Sequence, residues 1–224
     1  MGGFFIMKQS RNYSATLRTR NLELGAVLLT ALGKFVVMDW LNWRFIYVAL
    51  AVIFWSVYVL KTYKKNPQAL IRWGFTTHNF KTVAHKVLPF GIVAVGLFLI
   101  LGTLRGTITL TWHIVPILIT YPIWGVIQQY LVIALVGGNL QAGVTTSWQK
   151  WGAILITALL FSGVHYPNLW LMAGTFILGI FYGVLYLKHR NLYVFGLFHG
   201  WLGALFYYTV VGSDPFADIF PLWA

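Results

Sequence analysis

The chain of 224 residues contains no cysteine, which excludes disulfide staples, thiolate metal sites and thiol redox chemistry. Acid is almost as scarce. Four Asp and Glu face 16 Lys and Arg, and charged residues make up 9% of the chain, against roughly 25% in soluble domains. A disordered chain needs more polarity than this. Nucleic-acid readers carry their basic stripes on soluble folds, so DNA and RNA are not expected as partners despite the net charge of +12. What fills the chain is apolar: 59% hydrophobic and 18% aromatic residues, the composition of a protein whose solvent is the lipid bilayer.

Apolar runs long enough for spans of about 20 residues are read at about 22–38, 43–60, 87–104, 108–136, 152–167, 169–187 and 192–211. These predict an all-α, polytopic bundle of about seven transmembrane helices. Lys and Arg divide unevenly between the connecting segments. Thirteen lie before the first run, in 61–86, at Lys150 and at Lys188 and Arg190, against Arg44 and Arg105 on the other side, with Lys34 inside a span. The positive-inside bias then puts the N-terminus in the cytoplasm and the C-terminus outside. The membrane expected is the plasma membrane of a bacterium or archaeon. Residues 4–7 are too short for the apolar core of a cleavable signal, and their basic neighbours follow rather than precede them.

The organisation expected is a basic cytoplasmic N-terminus at 1–21, a two-helix hairpin at 22–60, a basic connector at 61–86, a transmembrane core at 87–211 and a tail at 212–224. In the connector Leu70, Trp73, Thr77, Phe80, Ala84 and Val87 recur at helical spacing, which predicts a helix lying in the interface. Pro116 and Pro122 interrupt the fourth run, predicting a kink whose freed carbonyls need protein neighbours. Gly174, Gly179 and Gly183 would let the sixth helix approach another closely.

Polar side chains inside spans are costly in hydrocarbon and are therefore site candidates. Four stand out: Gln128, Gln129, His165 and His199. Neighbours on a helix point about 100° apart, so the two Gln amides cannot share one direction. Small residues flank both imidazoles, leaving room for a ligand or another helix. His113 reads as interfacial, and His78, His85 and His189 as solvated. No HExxH or GxSxG motif occurs, and no carboxylate lies near Ser162 and His165 to complete a triad.

In order, a Gln-Gln pair, Phe161-x-x-x-His165, a Gly-rich span and His199 in the last span resemble the layout of the CPBP family, the CAAX protease and bacteriocin-processing proteins. The resemblance covers about 70–208. It implies a CAAX-protease-like core in which successive helices carry EExxxR, FxxxH and HxxxN or HxxxD, and it implies intramembrane peptide hydrolysis. By that resemblance Gln128, Gln129, His165 and His199 match the family's catalytic positions, with Phe161, Trp124 and Trp201 as substrate-binding candidates. The departures are chemical. Gln128 and Gln129 stand for two glutamates, Ile133 for the arginine, and Gly203 for the Asn or Asp after the last His. A buried glutamate can take a proton from water, and an amide cannot.

The reading favoured is a naturally degenerate member that binds a membrane partner or a prenylated or other apolar ligand, with no cofactor. An active peptidase using His165 and His199 is the second. A pigment, haem or metal subunit with His165 and His199 as ligands is the third, and a transporter the fourth.

Overall fold

The computed structural model describes residues 16–219, and no strand occurs among them. Nine helical segments follow one another: α1 (Leu17–Trp40), α2 (Arg44–Lys65), α3 (Gln68–Trp73), α4 (Phe80–Arg105), α5 (Ile114–Gln141), α6 (Ser147–Gly163), α7 (Leu169–Lys188), α8 (Leu192–Val211) and the short α9 (Pro215–Ile219). The protein is all-helical, and six of these helices, α1, α2, α4, α5, α7 and α8, are long and apolar enough to cross a membrane. Each of the seven apolar runs becomes a helix. The fifth, α6, is 17 residues and shorter than the other six. α1 and α8 end in wider π turns, at Lys34–Trp40 and Tyr207–Val211, and α5 carries them internally at Tyr130–Gly137.

Two expectations are corrected. The connector is not one interfacial helix, because Gly74 breaks it with a left-handed backbone (φ 94°), and a Cβ there would lie 3.2 Å from the backbone of Arg190, Asn191 and Leu192. Residues 74–79 instead form a loop pressed onto the α7–α8 turn, and α4 begins at Phe80 rather than at 87. Second, the fifth run ends at Gly163, not 167. His165 N–H bonds the Ser162 carbonyl and Tyr166 N–H the Gly163 carbonyl, while the Asn168 side chain caps the start of α7, so His165 lies in the turn between helices.

The prolines of α5 are accommodated differently. Pro116 occupies the first turn, where no backbone donor is needed. Pro122 lies inside the helix, and the Leu118 carbonyl it leaves without its usual donor accepts the indole N–H of Trp201 at 3.0 Å. The neighbouring helix thus supplies the missing donor, as a proline in lipid requires.

Close backbone approach assembles the core, and glycine permits it. Gly196 and Gly200 of α8 face α5 so tightly that a Cβ on Gly196 would lie 2.5 Å from Val126 N, and one on Gly200 2.5 Å from Pro122 Cα. On the other flank a Cβ at Gly179 or Gly183 would lie 2.9 Å from Ala158 Cα and 3.0 Å from Ile154 Cγ2, seating α7 on α6. Gly174, the third of that series, faces Phe206 at an ordinary 3.5 Å.

Polar ties hold each end of the bundle. At one end Asn191 Nδ2 donates to the Thr76 carbonyl (2.9 Å) and to Asn79 Oδ1 (2.8 Å), and Leu192 N–H to the Gly74 carbonyl (2.8 Å). Arg190 donates to the Arg72 carbonyl, and Arg20 to the Ala142 carbonyl. At the same end, buried Glu23 of α1 accepts from Tyr58 OH and from Asn139 Nδ2, each at 2.5 Å, fastening the first hairpin to α5. At the opposite end Lys34 pairs with Asp39 (2.6 Å) and donates to the Tyr166 carbonyl (3.1 Å). There too Arg105 lies over the Trp170 ring at 4.3 Å, and Asp214 receives Tyr208 OH and contacts His113 Nδ1, each at 2.6 Å.

Candidate functional site

A cavity of about 240 Å³ lies between α4, α5, α7 and α8, with His165 at its rim, in the half of the bundle toward the 106–113 and 164–168 turns. Four of the sequence candidates, Trp124, Gln128, His165 and His199, line it. The adjacent amides diverge as the helix geometry requires. Gln128 faces the cavity, whereas Gln129 is fully buried outside it and its amide has no hydrogen-bond partner among the described residues. The π turns of α5 start at Tyr130, directly after this pair.

The central polar contact joins His199 Nε2 and Gln128 Oε1 at 2.6 Å. An amide oxygen only accepts, so Nε2 carries the proton and Nδ1 bears the lone pair. That Nδ1 is buried and has no partner among the described residues. His165 takes the opposite tautomer. Its Nδ1 donates to the Phe161 carbonyl at 2.7 Å, one turn back on α6, leaving the lone pair on Nε2. The Phe161 ring packs edge-on against both imidazoles, with 5.3 Å from its centroid to each. Phe161 therefore supports both histidines and is not part of the cavity wall.

The remaining candidates lie elsewhere. Trp201 is outside the cavity and serves the Leu118 carbonyl. Ile133 is buried in the apolar core, also away from the cavity. Ser162 donates to the Met172 carbonyl at 2.9 Å, which occupies its hydroxyl. His113 does sit at a helix end, tied to Asp214, and His78 and His85 are exposed. No cluster of three or more His, Cys, Asp or Glu able to hold a metal ion occurs among the described residues.

Two features of the site were not apparent from single positions. Gly203 lines the cavity one turn after His199, with nothing within 4 Å of where its Cβ would be, so the missing side chain itself enlarges the space. The α5–α8 seam was legible in principle as the small-xxx-small pair Gly196 and Gly200. That seam brings Gln128 within bonding distance of His199.

Chemically, the cavity offers the His165 imidazole acceptor and the Gln128 amide in an apolar enclosure. Phe90, Val93, Leu97, Phe98, Leu178 and Phe206 supply much of its wall, and no carboxylate lines it among the described residues. No family model, curated protein or solved structure matches the chain.

Proposed function

We propose that the protein is an integral membrane protein that binds an apolar ligand in this cavity, on a scaffold resembling the CPBP peptidases but without peptidase activity. The observation that carries the reading is the Gln128–His199 hydrogen bond in a cavity without a carboxylate. Activation of water needs a base of suitable pKa within reach of the proton it removes. Where the resembled family has a glutamate, Gln128 contributes a carbonyl oxygen with no useful basicity, and it engages the imidazole that would otherwise be free. Pockets suited to small molecules are mostly apolar with a few placed polar groups, and this one fits that description.

The test is hydrolysis of a membrane-embedded peptide by the purified protein in lipid nanodiscs. No turnover is expected from the natural chain. Turnover that vanishes in His165→Ala would overturn the reading. Gln128→Glu, which restores a carboxylate beside His199, is the variant in which hydrolysis could appear.

The orientation we infer places the end bearing the 66–79, 142–146 and 189–191 segments in the cytoplasm of a bacterial or archaeal cell, since the basic residues gather there. With no native cysteine, single substitutions give a clean test. Ser213→Cys is expected to react with an impermeant maleimide on intact cells, and Thr145→Cys only after permeabilisation. The reverse pattern would invert the topology.

A further inference from the structure

The cavity opens sideways. Val93 and Leu97 of α4 and Ile177 of α7 line it, yet are 61%, 53% and 57% exposed on the outer surface of the bundle. In a bilayer that surface meets acyl chains. The gap between the two helices is bounded at one end by Phe90 stacked on Phe181 at 4.1 Å, and at the other by Arg105 over Trp170. On α7 these closures stand 11 residues apart in sequence, or about 16 Å of helix, enough for a chain to pass between them.

The polar atoms inside select what the chain carries. His199 spends its Nε2 proton on Gln128, and its Nδ1 is sealed off from the cavity space. His165, which lines the cavity, presents the imidazole lone pair at Nε2, because its Nδ1 proton goes to the Phe161 carbonyl. Thr175, also in the wall, has spent its hydroxyl proton on the Leu171 carbonyl and can only accept. A carboxylate or ether brings further lone pairs to these acceptors and satisfies none of them. A hydroxyl brings the donor they lack, and its oxygen can accept from the Gln128 amide N–H.

Building on the proposed ligand-binding role, we propose that the cavity takes a single-chain lipid alcohol from the bilayer, its chain passing between α4 and α7 and its hydroxyl donating to His165 Nε2 at the cavity rim. An acceptor left without its donor costs binding free energy, so loss of the hydroxyl proton is expected to weaken binding about tenfold.

The experiment measures retention of radiolabelled 1-hexadecanol, its methyl ether and hexadecanoate by the purified full chain in nanodiscs, with Gly203→Phe, which fills the cavity, as the blank. The alcohol is expected to bind about tenfold more tightly than either analogue, and retention to fall to background in the blank. Equal binding of alcohol and ether, or tighter binding of the acid, overturns hydroxyl recognition while leaving an apolar-ligand site in place. Failure of all three to exceed the blank overturns both. Should Gly203→Phe not fold, the alcohol-to-ether ratio in the unmodified protein still decides.

Discussion

Substituting Gly200 by alanine probes the α5–α8 seam and the site together. The added Cβ would lie 2.5 Å from Pro122 Cα, while ordinary contacts fall at 3.4–4 Å, so the two helices must separate by 0.9–1.5 Å. The obstacle is backbone, which cannot swing aside as a flexible side chain can. Overpacking of this kind costs about 1–3 kcal/mol. The same opening would stretch the 2.6 Å Gln128–His199 bond to 3.5–4.1 Å, beyond useful hydrogen-bonding distance, adding about 0.6 kcal/mol in a membrane. Gly203→Ala is the internal control: it is the same change less than one turn away, where nothing lies within 4 Å of the new Cβ. Steric-trap unfolding in bicelles should show Gly200→Ala destabilised by about 2–4 kcal/mol and Gly203→Ala close to the parent. Equal stability of the two variants would refute the claim that glycine at Gly200 is imposed by backbone contact.

Trp201→Phe removes only the donor to the Leu118 carbonyl and should cost about 1–2 kcal/mol; adding Pro122→Ala restores a backbone N–H, and the double variant should recover much of the loss in the same unfolding assay. Glu23→Ala removes the acceptor of Tyr58 OH and Asn139 Nδ2 and should destabilise the attachment of the first hairpin by about 1–3 kcal/mol, seen as faster proteolysis between α2 and α4. Asp214 gives a pH dependence. Burial alone would raise its carboxyl, but hydrogen bonds from Tyr208, His113 and the backbone of Phe216 and Ala217 outweigh this and hold it near about 2 rather than 3.8. A depressed carboxyl stabilises the fold above its unfolded value, so docking of residues 212–217 should persist at neutral pH and be lost as pH falls through about 2. The mobility of a spin label attached beforehand at Ser213→Cys should follow that profile, and Asp214→Asn should give the mobile spectrum at every pH.

The approximate place of the helices is legible in the sequence because lipid imposes a minimum apolar length on each crossing, although six of the seven runs, not all seven, become helices long and apolar enough to cross. Boundaries are less so. Nothing local in Ser162-Gly163-Val164-His165 distinguishes the last turn of a helix from the turn beyond it, and the stop at Gly163 depends on Asn168 capping α7. The periodicity from Leu70 to Val87 reads as continuous, since the partner that demands a break at Gly74 lies more than 110 residues later. At the site, Gln128, His165 and His199 were identifiable because polar groups in hydrocarbon are conspicuous, and the structure brings them to one cavity. Their spacing could not separate Gln128 from Gln129, nor show that Trp201 answers a proline rather than a ligand. Glu23 escaped notice because an acid near the start of a span reads as solvated, and its burial arises from Tyr58 and Asn139 on other helices.

The clasp of residues 74–79 by Asn191 also bears on how the chain is made. Asn191 and Thr76 are 115 positions apart, and at a ribosomal pace of about 5–20 residues per second the loop emerges about 6–23 s before its partner. Through that interval its carbonyls stand unclaimed at the membrane face, open to an insertase or a protease. A nascent chain arrested before α8 should therefore be cut at this loop, and one released after Leu192 should survive.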